Sequence, residues 1–129
     1  SMRGVKVSMI LPRKMDVSLS RWAAVSFYRK LIQSGIRLYD YLPSMLHAKT
    51  LIIDDWMMVG SSNMNHRSLL HDLEADVNIT NDTSKKQLVA QFQEDITNTH
   101  EISLDNVWHK RPAYQRFLGR LFLYAKYWI

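Results

Sequence analysis

An α/β (or α+β) sandwich, with a mixed, mostly buried sheet flanked by helices, is the fold class this sequence predicts. Short runs rich in Val, Ile, Leu, Met and Tyr alternate with longer stretches of helical period, and Gly, Pro or Asx residues punctuate the changes. The chain has 129 residues, of which 47% are apolar and 22% charged. That is enough to bury a core and too apolar for a disordered segment.

Taken in order, residues 5–11 read as a strand closed by Pro12. Asp16 or Ser18 can cap a helix running to about Gln33, with Gly35 as its stop. Trp22, Ala23, Phe27, Leu31 and Ile32 are expected to form much of its buried stripe. Residues 36–41 are a second strand, ended by Pro43. Tyr39 and Tyr41 flank Asp40 there, and either pack in the sheet or line the mouth of a site. Residues 46–53 form a third strand, Asp54-Asp55 a tight turn and "WMMV" a fourth strand, which closes a hairpin. "SSNMNHRSLLHD" leads through a loop into a short helix, and "LEADVNIT" is a fifth strand. Asn81-Asp82-Thr83 cap a helix over about residues 84–97, and a last helix follows Pro112.

Composition narrows the function classes. Without cysteine, disulfides and cysteine-based zinc sites are excluded. No apolar run reaches the roughly 18 residues of a spanning helix. The formal charge of +5 favours anionic partners such as phosphodiesters or acidic lipid surfaces. Residues 110–129 account for that whole excess: they hold Lys110, Arg111, Arg116, Arg120 and Lys126, and no acid.

The stretch from Leu46 to Asn65 carries the chemistry. Residues two apart on a strand share a face, so His47 and Lys49 are expected to project together, with the small Ala48 opposite. On the other arm of the hairpin, Gly60 is expected to supply an unusual backbone angle, which turns Ser61 and Asn63 toward the same spot. An imidazole, an ammonium, a hydroxyl and an amide around one small volume suit a phosphate. A histidine so placed can attack phosphorus or protonate a leaving alkoxide, and it needs an acid on its other ring nitrogen. Glu74, at the start of the next strand, is the candidate.

"HAKTLIIDDWMMVGSSNMNHRSLLHDLEADV" resembles the His-Lys-Asp motif of the phospholipase D superfamily, with one residue fewer between Asp54 and Gly60 than in the commonest members. "RGVKVSMILPRKMD" and "GIRLYDYLPSMLHAK" are similar to the second half of bacterial cardiolipin synthases, and the resemblance covers residues 3–81. It implies a phospholipase D-like sandwich, one half of a two-motif fold. His47 would be the reacting histidine, Lys49, Ser61 and Asn63 the phosphate-binding positions and Glu74 the acid on the histidine. Asp54, with Gly60, would be structural. Arg67 would hold a second phosphate or a headgroup, or simply stand on the surface at a helix start. The chemistry implied uses no metal or cofactor: one histidine forms a phosphohistidine and a second protonates the leaving group. Only His47 is followed by Lys at the right spacing; His66, His71, His100 and His109 are not. Either two chains pair, or a first half is missing, as expected of a fragment that enters a strand almost at once.

In the tail, Phe117, Leu121, Tyr124, Ala125 and Trp128 fall on one helical side and Arg116 and Arg120 on another. This suits a helix in a membrane interface, with Arg116, Arg120 and Trp128 in contact with lipid, or a helix packed on a partner. The expected organisation is a catalytic half-domain over residues 1–109 and a basic aromatic helix over 110–129. The expected function is phosphodiester transfer or hydrolysis on glycerophospholipids. The expected partners are a phospholipid substrate, an anionic membrane surface and an N-terminal half or second copy, at the cytoplasmic face of a bacterial-like membrane. A homodimeric single-motif nuclease, with nucleic acid as the less favoured partner, and a non-enzymatic membrane-binding or scaffold module are the alternatives.

Overall fold

A computed structural model describes residues 1–14, 18–63 and 70–105, with the backbone alone for residues 18–23 and 26. In chain order the elements are β1 (Val7–Pro12), α1 (Ser18–Gln33), β2 (Ile36–Tyr41), β3 (Lys49–Ile53), β4 (Trp56–Gly60), β5 (Asp76–Asn78), α2 (Asp82–Thr97) and β6 (Thr99–Glu101). The chain is thus a mixed α/β protein with two small sheets and two helices among the described residues. The short helix expected after Asn63, with Arg67, falls largely outside the described residues, and the tail helix expected to hold Arg116, Arg120 and Trp128 lies outside them. The structure divides into two compact units: Ser1–Leu46 with the segment that begins at Asn98, and His47–Thr97.

In the first unit the sheet order is β1-β2-β6. β1 and β2 are parallel, Val7 opposite Ile36 and Pro12 opposite Tyr41, because α1 makes the long crossover a parallel pair requires. Pro12 lies in the strand instead of after it, at the sheet edge, where a missing N–H is tolerated. β6 runs antiparallel on the other side of β2, Tyr39 opposite Glu101. Nothing in "THE" announces a strand; it pairs because Ile102, whose N–H donates to Leu38 O at 2.8 Å, must be buried.

The core of this unit is Val25, Tyr28, Leu38 and Ile102, with Met9, Leu11, Ala24, Leu31, Ile32 and Ile36 packed partly against it. Fully burying a side chain such as Leu38 contributes about 1.5–3 kcal/mol. The stripe of α1 therefore differs from the expected one. Phe27 is 45% exposed, while Val25 and Tyr28 turn inward with Leu31 and Ile32. The i, i+3, i+7 seam of Val25, Tyr28 and Ile32 leaves position 27 about 100° away from position 28. α1 stops as expected: Ser34 and Gly35 N–H donate to Lys30, Leu31 and Ile32 carbonyls, and Gly35 takes φ 84°.

The second unit is an antiparallel sheet of order β3-β4-β5. β3 and β4 form the expected hairpin, from Lys49 opposite Gly60 to Ile53 opposite Trp56. Asp54 in the turn takes φ 50°, a left-handed conformation that Asp tolerates better than most residues. β3 starts at Lys49, three residues later than expected, and β5 is three residues long and exposed throughout. Met57 is the buried hydrophobic residue here, and Ile79 N–H donates to its carbonyl at 2.8 Å. α2 begins where Asn81 caps it: Asn81 Oδ1 accepts the Ser84 N–H at 3.1 Å. Lys85 then reaches Asp55 at 3.0 Å, beside a surface hollow of about 310 Å³ lined by Trp56, Asn78, Ile79 and Thr80.

Candidate active site

Lys49, Gly60 and Asp76 stand opposite one another on β3, β4 and β5 and form one row across the sheet of the second unit. Directly opposed residues on antiparallel strands face the same side, so Lys49 and Asp76 flank a position that has no side chain. Asp54 sits at the other end of the hairpin, just past the end of β3 and five residues from Lys49, or roughly 16 Å away at strand rise. It shapes the turn and stands clear of the row.

His47 lies two residues before the strand and is exposed. The sequence reading expects His47 and Lys49 on one strand; the strand begins only at Lys49, so the ladder does not fix the direction of the His47 side chain. Lys49 Nζ donates to His47 O at 2.7 Å, which ties the histidine's backbone to the ammonium.

Gly60 is glycine for a different reason than expected. The glycines with positive φ are Gly4 and Gly35, among the described residues. A Cβ on Gly60 would lie 1.8 Å from Asp76 Oδ1, 2.6 Å from its Cγ and 2.7 Å from Ala75 O. Close approach of β5, not backbone freedom, demands the missing side chain.

The turn after Gly60 is gripped by the same neighbours. Ser61 N–H donates to Ala75 O at 3.0 Å, and Ser61 Oγ accepts the Ala75 N–H at 2.9 Å. The Ser61 proton has only a long contact to Ala75 O, 3.4 Å, so it is free to turn to a phosphate oxygen. Ser62 donates its N–H to Asp76 Oδ1 at 3.3 Å and its hydroxyl to Asp76 Oδ2. Asn63 is exposed beyond them, and half-buried Glu74 precedes Ala75. Among the described residues no hydrogen bond joins Glu74 to His47. The structure thus brings Lys49, Gly60, Ser61 and Asn63 to the end of one sheet.

Ser62 and Asp76 escape the sequence reading. Asp76 is two residues from Glu74 near β5, and that period-2 spacing is the signal that could have found it. Tyr39, in the first unit, is buried at 5% exposure in its sheet.

A His-x-Lys segment leading into a strand, with a Gly-Ser-Ser-Asn turn on the opposite arm of the hairpin, is the pattern of the phospholipase D class. Residues 1–96 match the family model described as "Cardiolipin synthase, PLD-like domain", and the chain belongs to that family. Among curated proteins it is 34% identical over 125 residues to cardiolipin synthase A of Serratia proteamaculans (strain 568), covering 96% of this chain and 26% of that protein. The Salmonella arizonae and Yersinia pseudotuberculosis serotype O:3 (strain YPIII) cardiolipin synthases A are 35% and 34% identical over 123 residues, 95% of this chain and 25% of each. The chain spans about a quarter of the length of these relatives. No solved structure gives a significant match.

Proposed function

We propose that this chain supplies one half of the active site of a phospholipase D-type phosphatidyltransferase or phosphodiesterase, similar to the cardiolipin synthases, acting on anionic glycerophospholipids. The observation that carries the reading is the row Lys49–Gly60–Asp76, with His47 just before Lys49 and the Ser61–Asn63 turn just after Gly60, at the same end of the hairpin. In this reading His47 attacks phosphorus and displaces the headgroup or glycerol alcohol, and a phosphohistidine forms. Lys49, Ser61 and Asn63 neutralise and hold the phosphoryl oxygens. Glu74 orients the His47 ring once the site is assembled, since catalytic hydrogen bonds tighten on substrate binding. The leaving alcohol takes its proton from a second histidine, and an incoming alcohol or water then takes the phosphoryl group.

In this reading that second histidine is not supplied by the same copy of residues 1–129. The reading therefore includes a partner: an N-terminal half of the same protein, completing a two-motif sandwich, or a second copy of the chain. Residues 1–109 are the catalytic half-domain. Residues 110–129 are a basic aromatic helix at the cytoplasmic face of the membrane, where Arg116, Arg120 and Trp128 meet lipid and Arg67 takes a headgroup. The association proposed is peripheral; no described helix is long and apolar enough to cross a membrane. The single His-Lys spacing favours a second reading, a homodimeric phosphodiesterase.

Turnover of a soluble chromogenic phosphodiester, followed against protein concentration with His47→Ala beside it, tests both. Turnover that rises more steeply than concentration and vanishes in His47→Ala is the homodimer's result. Turnover that appears only when an N-terminal half is added is the two-motif result. Turnover unchanged in His47→Ala overturns both.

A further inference from the structure

We infer that Asp76 is a positioning residue for the phosphate-directed turn, holding Ser62 from across the sheet through the gap that Gly60 leaves. The inference rests on the proposed phosphate site. Three observations converge. Asp76 is in register with Gly60, which is in register with Lys49, so its carboxylate belongs to the face toward which Lys49 projects. Its Oδ1 occupies the place of a side chain at position 60, 1.8 Å from where that Cβ would stand. Both its oxygens are taken by Ser62, one by the N–H at 3.3 Å and one by the hydroxyl.

Ala75 holds Ser61 by backbone on the residue before, so two successive residues of β5 and its approach clamp two successive residues of the turn. Asn63 follows the clamped residues immediately in the chain. Exposure accommodates the carboxylate, but strand propensity does not favour it: Asp is among the poorest strand formers. A negative charge on the face of Lys49 also opposes an incoming phosphate. A carboxylate kept there is explained by what it grips: two hydrogen bonds that Thr or Val could not supply together.

The test uses the 129-residue chain as wild type, Asp76→Asn, Asp76→Ala and Ser62→Ala. Amide exchange at Ser61, Ser62 and Asn63 is read by NMR without ligand, and inorganic phosphate is then titrated. Asn retains an acceptor for the Ser62 N–H, and Ser62 can rotate its hydroxyl to suit, so Asp76→Asn should keep phosphate affinity within about twofold of wild type. Asp76→Ala should speed exchange at Ser62 by about tenfold and weaken phosphate by about five- to tenfold, with the β3–β4 ladder amides unchanged. Ser62→Ala loses the hydroxyl bond without touching β5 and should fall between; it decides the matter if Asp76→Ala does not fold. Wild-type exchange and affinity in Asp76→Ala, or in Ser62→Ala if the former unfolds, overturn the inference. A wild type that binds no phosphate, with faster exchange in Asp76→Ala, counts against the phosphate site and supports the clamp.

Discussion

Lys49 is the residue whose role can be separated most cleanly from folding. It is half-buried, and its ammonium is bonded to a backbone carbonyl at 2.7 Å, not to an acid. Among the described residues no carboxylate is bonded to that ammonium, so it can turn to an arriving phosphate, while the Asp76 carboxylate on the same face is held by Ser62. Lys49→Ala should lower turnover in the active assembly about 10²- to 10³-fold, the usual size for one lost charge-stabilising donor. Its melting temperature should stay within a few degrees of wild type, since an exposed-side hydrogen bond contributes only about 1 kcal/mol. Steady-state kinetics beside a thermal melt checks both, and a large loss of stability would return Lys49 to a structural role. Arg37 behaves differently. It is paired with Glu101 by two bonds of 3.0 and 2.9 Å, and its guanidinium lies 5.4 Å from the Tyr39 ring. The hydrogen bonds from Arg37 hold the Glu101 carboxyl below its ordinary value of 4.5. A depressed acid adds stability that is complete above its unfolded value and is lost as pH falls through the lower folded one. Melting temperature in Glu101→Gln should therefore lack part of the wild-type decline below about pH 4.5, a small effect because the pair is exposed. Parallel curves for the two proteins would show that the pair contributes nothing. The motif residues were legible because residue type and spacing state their chemistry. The reason for Gly60 was not, because it depends on what β5 places opposite, and no local pattern fixes the register of a three-residue strand.

At the scale of elements, the same contrast divides α1 from its expected stripe. Periodicity identified the helix over Ser18–Gln33, with Gly35 the local signal that ends it. It missed the phase, because several apolar residues in a row allow more than one seam, and the choice is made by Leu38 and Ile102 across the sheet. The prediction is a pair of substitutions. Leu38→Ala removes the side chain at the centre of the first unit and should cost about 2–5 kcal/mol. Phe27→Ser, large as it looks in sequence, should change stability by less than about 0.5 kcal/mol, because position 27 is 45% exposed. Urea unfolding of the two variants measures both, and a greater loss for Phe27→Ser would mean that position 27 is covered in solution. β6 shows the other limit of sequence reading. "THE" has no run of apolar residues, and its pairing follows from the burial of the next residue, Ile102. α2, by contrast, was read almost to the residue, because Asn81 writes its start into the sequence.

For the molecule as a whole, the decisive feature is how charge is distributed. Residues 1–109 carry twelve basic and twelve acidic side chains, while residues 110–129 carry five basic and none acidic, which gives the net +5. A balanced body gives an anionic surface little to attract, so binding to such a surface must come from the tail. Each Lys or Arg close to an anionic leaflet contributes on the order of 1 kcal/mol, so five supply several, and the apolar residues among them add burial of their own. Deleting residues 110–129 should therefore lower partitioning onto phosphatidylglycerol-containing vesicles by about 100-fold or more. Phosphatidylcholine vesicles should bind both forms weakly. Raising salt from low to about 0.5 M should bring the intact chain down toward the deleted one, since screening then acts within a few ångströms. Vesicle co-sedimentation, with circular dichroism to confirm that both forms stay folded, reads all three. Equal binding with and without the tail would assign residues 110–129 to packing on a partner. Salt-insensitive loss on deletion would keep the tail on the membrane but make apolar burial, not charge, its means of binding.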